Sequence, residues 1–227
     1  MDRFLSLLQF TDGLFPAGAY AHSFGLEACV QSGQITDAAG VEAFLRTYLE
    51  GCAGPTDAVA MLCARQAAAT EDLALCLALD EMLDAMKTPS ELRDASRQMG
   101  RQTLRVATHL PSHPLLEEFG KAVAGELTPG HHPIVFGMVG GSLGWNALEM
   151  AGAYLYSTSA ALVGAALRLL PLGQLAGQRI VWNVRPLIAT LAEEAQHKNE
   201  QDMWSFAPAL EIASMQHALL DARLFRS

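Results

Sequence analysis

The chain has 227 residues, enough for one domain with its own core and no need of disulfide or metal staples. Apolar residues make up 51% and charged residues 17%, the net charge is −9, and no lysine–arginine cluster stands out. Nucleic acid and anionic membrane surfaces are therefore not expected partners.

Alanine, leucine and glycine dominate and β-branched residues are sparse, which favours helix over strand. Phe4 to Phe10 is apolar and Ala17-Gly18-Ala19 resembles a leader-cleavage site. Ser6 and Gln9 interrupt the run, Asp12 follows it and Asp2 offsets Arg3, so no secretory leader is expected. No window is expected to reach the ~18 uncharged apolar residues of a membrane-spanning helix.

Helical signals then repeat along the chain, the first over roughly 20–33. Thr36 and Asp37 are cap candidates for a helix whose stripe is Val41, Phe44, Leu45, Tyr48 and Leu49. Gly54-Pro55 is expected to end it, with a new helix after Thr56 or Asp57. A further helix reads at roughly 71–86. Thr88-Pro89-Ser90-Glu91 reads as a capping box with proline in the first turn. Leu92, Ala95, Met99, Thr103, Val106 and Leu110 extend that helix to about 109, where Pro111 stops it. Further helices read at roughly 114–124, 134–150, 153–170, 174–198 and 208–220, with Pro186 kinking or dividing the 174–198 stretch. No hairpin signal, repeat or long linker appears, so residues 1–227 read as a single-domain, all-α bundle of about ten helices.

Cys29, Cys52, Cys63 and Cys76 form no CxxC pair and signal no zinc site. They read as free thiols in a reducing cytoplasm. Gly140-Gly141-Ser142-Leu143-Gly144 matches the nucleophile elbow of serine hydrolases, and Asp202 and His217 follow in the right order. That motif needs a strand before it and a parallel sheet around it, and no βα alternation is present. The structural alternative is a helix face on which Gly137, Gly140, Gly141 and Gly144 admit a close neighbour. The glycines lack the Gly-Lys-Ser/Thr of a phosphate loop. His131 and His132 are weak candidate ligands for a divalent metal, since neutral imidazole suits nickel and zinc, and the corresponding alternative is a direct nickel carrier. Glu117-Glu118 and Glu193-Glu194 read as solvated faces.

At the other end Leu224 and Phe225 lie between Arg223 and Arg226. Apolar side chains in such a segment gain little unless they dock. Either the chain's own core or another protein orders residues 221–227, with arginine and phenylalanine as anchors.

Several blocks together resemble the urease accessory protein F (UreF) family. They are Phe15-Pro16-Ala17-Gly18-Ala19-Tyr20-Ala21-His22-Ser23-Phe24-Gly25-Leu26-Glu27, Pro89-Ser90-Glu91-Leu92-Arg93, His132 through Gly144, and Leu170-Pro171-Leu172-Gly173-Gln174 with Gly177-Gln178. The end, Glu211 to Ser227, also matches. The resemblance departs at Asp12-Gly13, and at Ala218, Asp221 and Ala222, where family members carry Glu, Tyr and Ser.

The resemblance implies an all-α, non-catalytic, cytoplasmic assembly factor that dimerises. It implies a complex with accessory protein D (also called H) and with the GTPase accessory protein G. That assembly supports GTP-dependent nickel delivery to apo-urease, with GTP on the partner, nickel handled by the complex, and no cofactor held stably by this chain. It points to Tyr20 and Arg223 for GTPase recruitment. Neighbouring partner-binding candidates are His22, Ser23, Glu27, Met215, His217, Leu224, Phe225 and Arg226.

Overall fold

A computed structural model describes residues 1–110 and 113–227, and among them every regular element is helical. The order is α1 (Asp2–Thr11), a 3-10 turn (Ala19–Ala21), α2 (Leu26–Gln31), α3 (Ala38–Tyr48), a π-helical segment (Leu49–Ala58) and α4 (Val59–Ala69). There follow α5 (Leu73–Met86), α6 (Ser90–Ala107), α7 (Pro114–Ala124), α8 (His132–Leu143), α9 (Ala147–Leu169), α10 (Gln174–Ala195), a 3-10 turn (Glu200–Asp202) and α11 (Pro208–His217). Pro111, the expected stop after α6, lies outside the described residues.

The fold is built around α8. It is apolar on every side, and Pro133 through Gly140 are all buried, as expected of a helix with no polar face. It packs against α4 on one side and α6 on the other. Close approach to α4 depends on two glycines one turn apart. A Cβ on Gly137 would collide with the Met61 carbonyl, and one on Gly141 with the Arg65 carbonyl. Gly140 faces another way and leaves room for the Met150 side chain.

Several sequence expectations are corrected. The 134–150 stretch is two helices, because Gly144 adopts φ +66° and ends α8. Asn146 then caps α9, its side chain accepting from the Glu149 amide at 3.1 Å. Gly54-Pro55 does not end a helix. α3, the π segment and α4 form one continuous rod, with Pro55 inside it. Proline removes an N–H from the ladder, and the Gly51 carbonyl one turn earlier accepts instead from the Phe206 amide at 2.9 Å. Thr56 Oγ1 donates to the Trp204 carbonyl, and the Trp204 amide to the Pro55 carbonyl. The extended 203–207 segment thus takes up groups that the wider helix frees.

Pro186 likewise lies inside α10 without dividing it. The Trp182 carbonyl that it leaves without an amide accepts from Arg185 Nε at 3.4 Å. The 20–33 stretch is helical only over α2, because Phe24 (φ +54°) and Gly25 (φ +89°) are left-handed just before it. A side chain at Gly25 would also meet the Ser214 amide nitrogen of α11 at 3.0 Å. α1 was not expected. It docks through Leu7 and Phe10, and Ser6 Oγ accepts from Trp145 Nε1 at 2.8 Å. By length and composition alone α9 would be long and apolar enough to cross a bilayer. Half of its most apolar window is buried against other helices, the behaviour of a core helix.

These contacts separate two glycine substitutions. Gly141→Ala, forced against the α4 backbone, should destabilise by about 1–3 kcal/mol. Gly120→Ala in α7 meets only Leu104, at 3.9 Å, and should stabilise by about 0.5–1 kcal/mol through helix propensity. Urea-unfolding midpoints of the two variants test this.

Candidate functional site

The site forms where α2, α6, α9 and α11 meet the chain end. Its centre is Glu27, in the first turn of α2 and 1% exposed. One carboxylate oxygen accepts from the Leu224 amide at 2.7 Å and from Gln31 Nε2 at 3.2 Å. The other accepts from the Phe225 amide at 3.0 Å and from His217 Nε2 at 2.9 Å. Burial alone would raise the carboxyl's pKa. The hydrogen bonds from Leu224, His217 and Phe225 outweigh it and hold the group below its ordinary value of 4.5.

The remaining tail contacts are equally local. Ser23 N–H, Phe24 N–H and Ser23 Oγ all donate to the Ser227 carbonyl, at 2.5, 3.1 and 2.9 Å. The Arg226 amide donates to the Ala21 carbonyl at 2.8 Å, and Gln31 Nε2 to the Ala222 carbonyl at 3.0 Å. His22 Nδ1 lies 2.8 Å from Ser227 Oγ. Burial first, then Arg226, holds His22 down to about 4, so its ring is neutral at physiological pH. Arg168 of α9 stacks over the Phe225 ring at 4.3 Å and donates to the Tyr20 carbonyl at 2.6 Å. Arg223 Nη1 donates to Glu91 Oε1 at 3.1 Å, and Glu91 Oε2 faces His217 Nδ1 at 2.7 Å.

The tail is therefore ordered by the chain itself, and it alternates. Phe225 and Ser227 point inward, while Leu224 and Arg226 point out, as an extended segment on a surface must. The named site residues divide along the same line. His22, Ser23, Glu27, His217 and Phe225 are buried and form a platform. Tyr20 (71% exposed), Met215, Arg223, Leu224 (61%) and Arg226 stand on it.

Sequence reasoning missed part of this arrangement. Glu91 does not cap α6, where Pro89 stands at the cap position without a side-chain bond; its carboxylate joins Arg223 and His217 instead. Ile212 and Leu219 are exposed beside Met215. Their i, i+3, i+7 spacing was a readable signal of a second apolar stripe. The bridge from Arg168 to Tyr20 and Phe225 left no signal in the sequence.

The other candidates do not converge. Ser142 lies in the last turn of α8, with helix rather than strand before it, and its Oγ has no hydrogen-bond partner. Both His217 ring nitrogens face carboxylates and cannot serve it. Asp202 closes a capping box at Asn199. The His131 ring lies between Ser96 Oγ (3.0 Å) and Asp84 Oδ1 (2.9 Å). The His132 ring packs on Phe136 and Tyr154. Among the described residues no three histidine, cysteine or acidic side chains are placed to hold one metal ion.

Glu27 folds with a lowered pKa, so its stabilisation is full above 4.5 and is lost as pH falls through the folded value. Acidification should release the tail. Glu27→Gln should do so at neutral pH and cost about 3 kcal/mol, the order of breaking one side of a buried charge pair. Carboxypeptidase trimming and urea unfolding of the two proteins measure both effects.

Comparison with known proteins bears on what this platform serves. The UreF family model matches residues 35–185. A urease accessory protein UreF of Bacillus sp. (strain TB-90) is 33% identical over 227 residues, all of both chains. That of Actinobacillus pleuropneumoniae is 33% identical over the same complete span. That of Arthrobacter sp. (strain FB24) is 32% identical over 223 residues, covering 98% of this chain and 96% of the relative. With a helical fold, a family model spanning most of the sequence and full-length relatives, the chain belongs to the UreF family of urease accessory proteins.

Proposed function

We propose that this protein is a non-catalytic scaffold for nickel insertion into urease, working in the cytoplasm as a homodimer. It binds accessory protein D (also called H) and recruits the GTPase accessory protein G. GTP hydrolysis by that partner then drives delivery of nickel, the cargo, to apo-urease. The scaffold contributes binding free energy that favours one state of its partner.

The observation that carries this reading is the surface around the docked tail. Tyr20, Arg223 and Leu224 are exposed on a rigid, hydrogen-bonded platform, next to the Ile212, Met215 and Leu219 stripe. Exposed aromatic, arginine and aliphatic side chains on an ordered base form a protein-binding surface. Membership of a urease accessory family supports this choice of partners, and the four free cysteines suit a reducing compartment.

Mixing the purified chain with protein D and then protein G, followed by size-exclusion chromatography with light scattering, should give a dimer-based ternary complex. Tyr20→Ala, Arg223→Ala and Leu224→Ala should each weaken GTPase binding by about 30-fold, or ~2 kcal/mol, and the melting temperature should be unchanged for Tyr20→Ala and Leu224→Ala, whose side chains lie outside the Glu91 ion pair. No complex with the unsubstituted chain, or full binding by all three variants, contradicts the reading.

A further inference from the structure

The Glu27–His217–Glu91 line has a property that the scaffold reading does not use. His217 is fully buried, and each of its ring nitrogens faces a carboxylate oxygen from a different helix, at 2.9 Å (Glu27, α2) and 2.7 Å (Glu91, α6). A neutral imidazole has one N–H and one lone pair. It could satisfy one of these contacts and would set lone pair against lone pair in the other. Both short contacts require a proton on each N···O line.

We infer that His217 carries a proton on both ring nitrogens when the tail is docked, so that docking of α11 and residues 221–227 is a proton-linked latch.

The proton sits on the imidazole rather than on a carboxyl group. Glu27 accepts from three N–H donors besides the His217 line: Leu224, Phe225 and Gln31. Three donors on one carboxylate favour its anionic form, in keeping with its lowered pKa, so the proton on the remaining line belongs to the imidazole. Glu91 is paired on its other oxygen with the Arg223 guanidinium. The charged groups that meet His217 are thus Glu27 from α2, Glu91 from α6 and, through Glu91, Arg223 from the tail. The third helix packed against α11 is α3. Its Glu42 turns to Arg46 and Asn183, and its Tyr48 stacks on Phe24. With an imidazolium, two negative and two positive groups balance. With a neutral ring, one uncompensated charge remains in a buried cluster, which is costly.

The linkage has a definite sign. The docked state holds a proton that the undocked state releases at alkaline pH. Docking should therefore weaken as pH rises, by up to about tenfold per pH unit. Glu27 protonation weakens it at the acid end, so the docked tail occupies a window bounded on both sides.

The test is long-range 15N–1H NMR of the histidine rings in the unsubstituted full-length chain. His22, His131 and His132, each held down to about 4 by burial, serve as neutral internal standards. At neutral pH the ring of His217, assigned by its loss in His217→Gln, should show two protonated nitrogens while those three show one. As pH rises it should lose one proton in the same step in which the Leu224 and Phe225 amide resonances move to free-peptide positions. A singly protonated His217 ring at neutral pH overturns the inference. So does deprotonation that leaves the Leu224 and Phe225 resonances in place. The experiment uses the isolated chain, so its outcome is separate from that of the partner-binding experiment.

Discussion

One buried carboxylate organises the functional end of this molecule. Glu27 accepts two backbone amides from the tail, one amide side chain from its own helix and an imidazole nitrogen from α11. Each contact alone is a modest hydrogen bond, but a buried anion without partners is costly. Docking of the tail therefore satisfies Glu27 at the same time as it buries Phe225. Gly25 makes the geometry possible, since its left-handed backbone lets α2 begin directly against α11. A side chain there would carry both backbone strain and a clash.

The rest of the fold holds that carboxylate still. α8 fills the centre, and its glycines let α4 approach to backbone contact. The rod formed by α3, the π segment and α4 passes through a Gly-Pro pair without breaking, because the 203–207 segment meets the groups that proline leaves free. That segment leads directly into α11, which carries His217 and the exposed Ile212–Met215 stripe. A proline in the helical rod is thereby tied, through this segment, to the position of α11.

The sequence made the helical class and most helix cores legible, because stripes such as Val41–Phe44–Leu45–Tyr48 depend only on periodicity. Boundaries failed where one residue acts through a distant partner. Pro55 and Pro186 read as breaks, yet both lie inside helices because other groups meet the carbonyls they free. Gly144 read as part of a small-residue face, but its positive φ ends α8. Thr88 to Glu91 matched a capping box, whereas Glu91 turns to His217 and Arg223, more than a hundred residues away in sequence. The candidate residues came from resemblance, and sequence could not divide them into buried platform and exposed surface. That division follows from the alternation of an extended tail, visible in Leu224-Phe225-Arg226-Ser227 only once its docking surface is known. The Arg168 bridge, made of one stacking contact and one backbone hydrogen bond, has no pattern to detect.

The central claim is that the chain orders its own tail through Glu27 before any partner arrives. Hydrogen exchange at the Leu224 and Phe225 amides of the isolated chain tests it most directly. Both amides donate to Glu27, so both should exchange at least about 100-fold more slowly than in an unstructured peptide at neutral pH. Exchange of both at free-peptide rates would mean that the tail is disordered alone and that a partner, not Glu27, builds the surface.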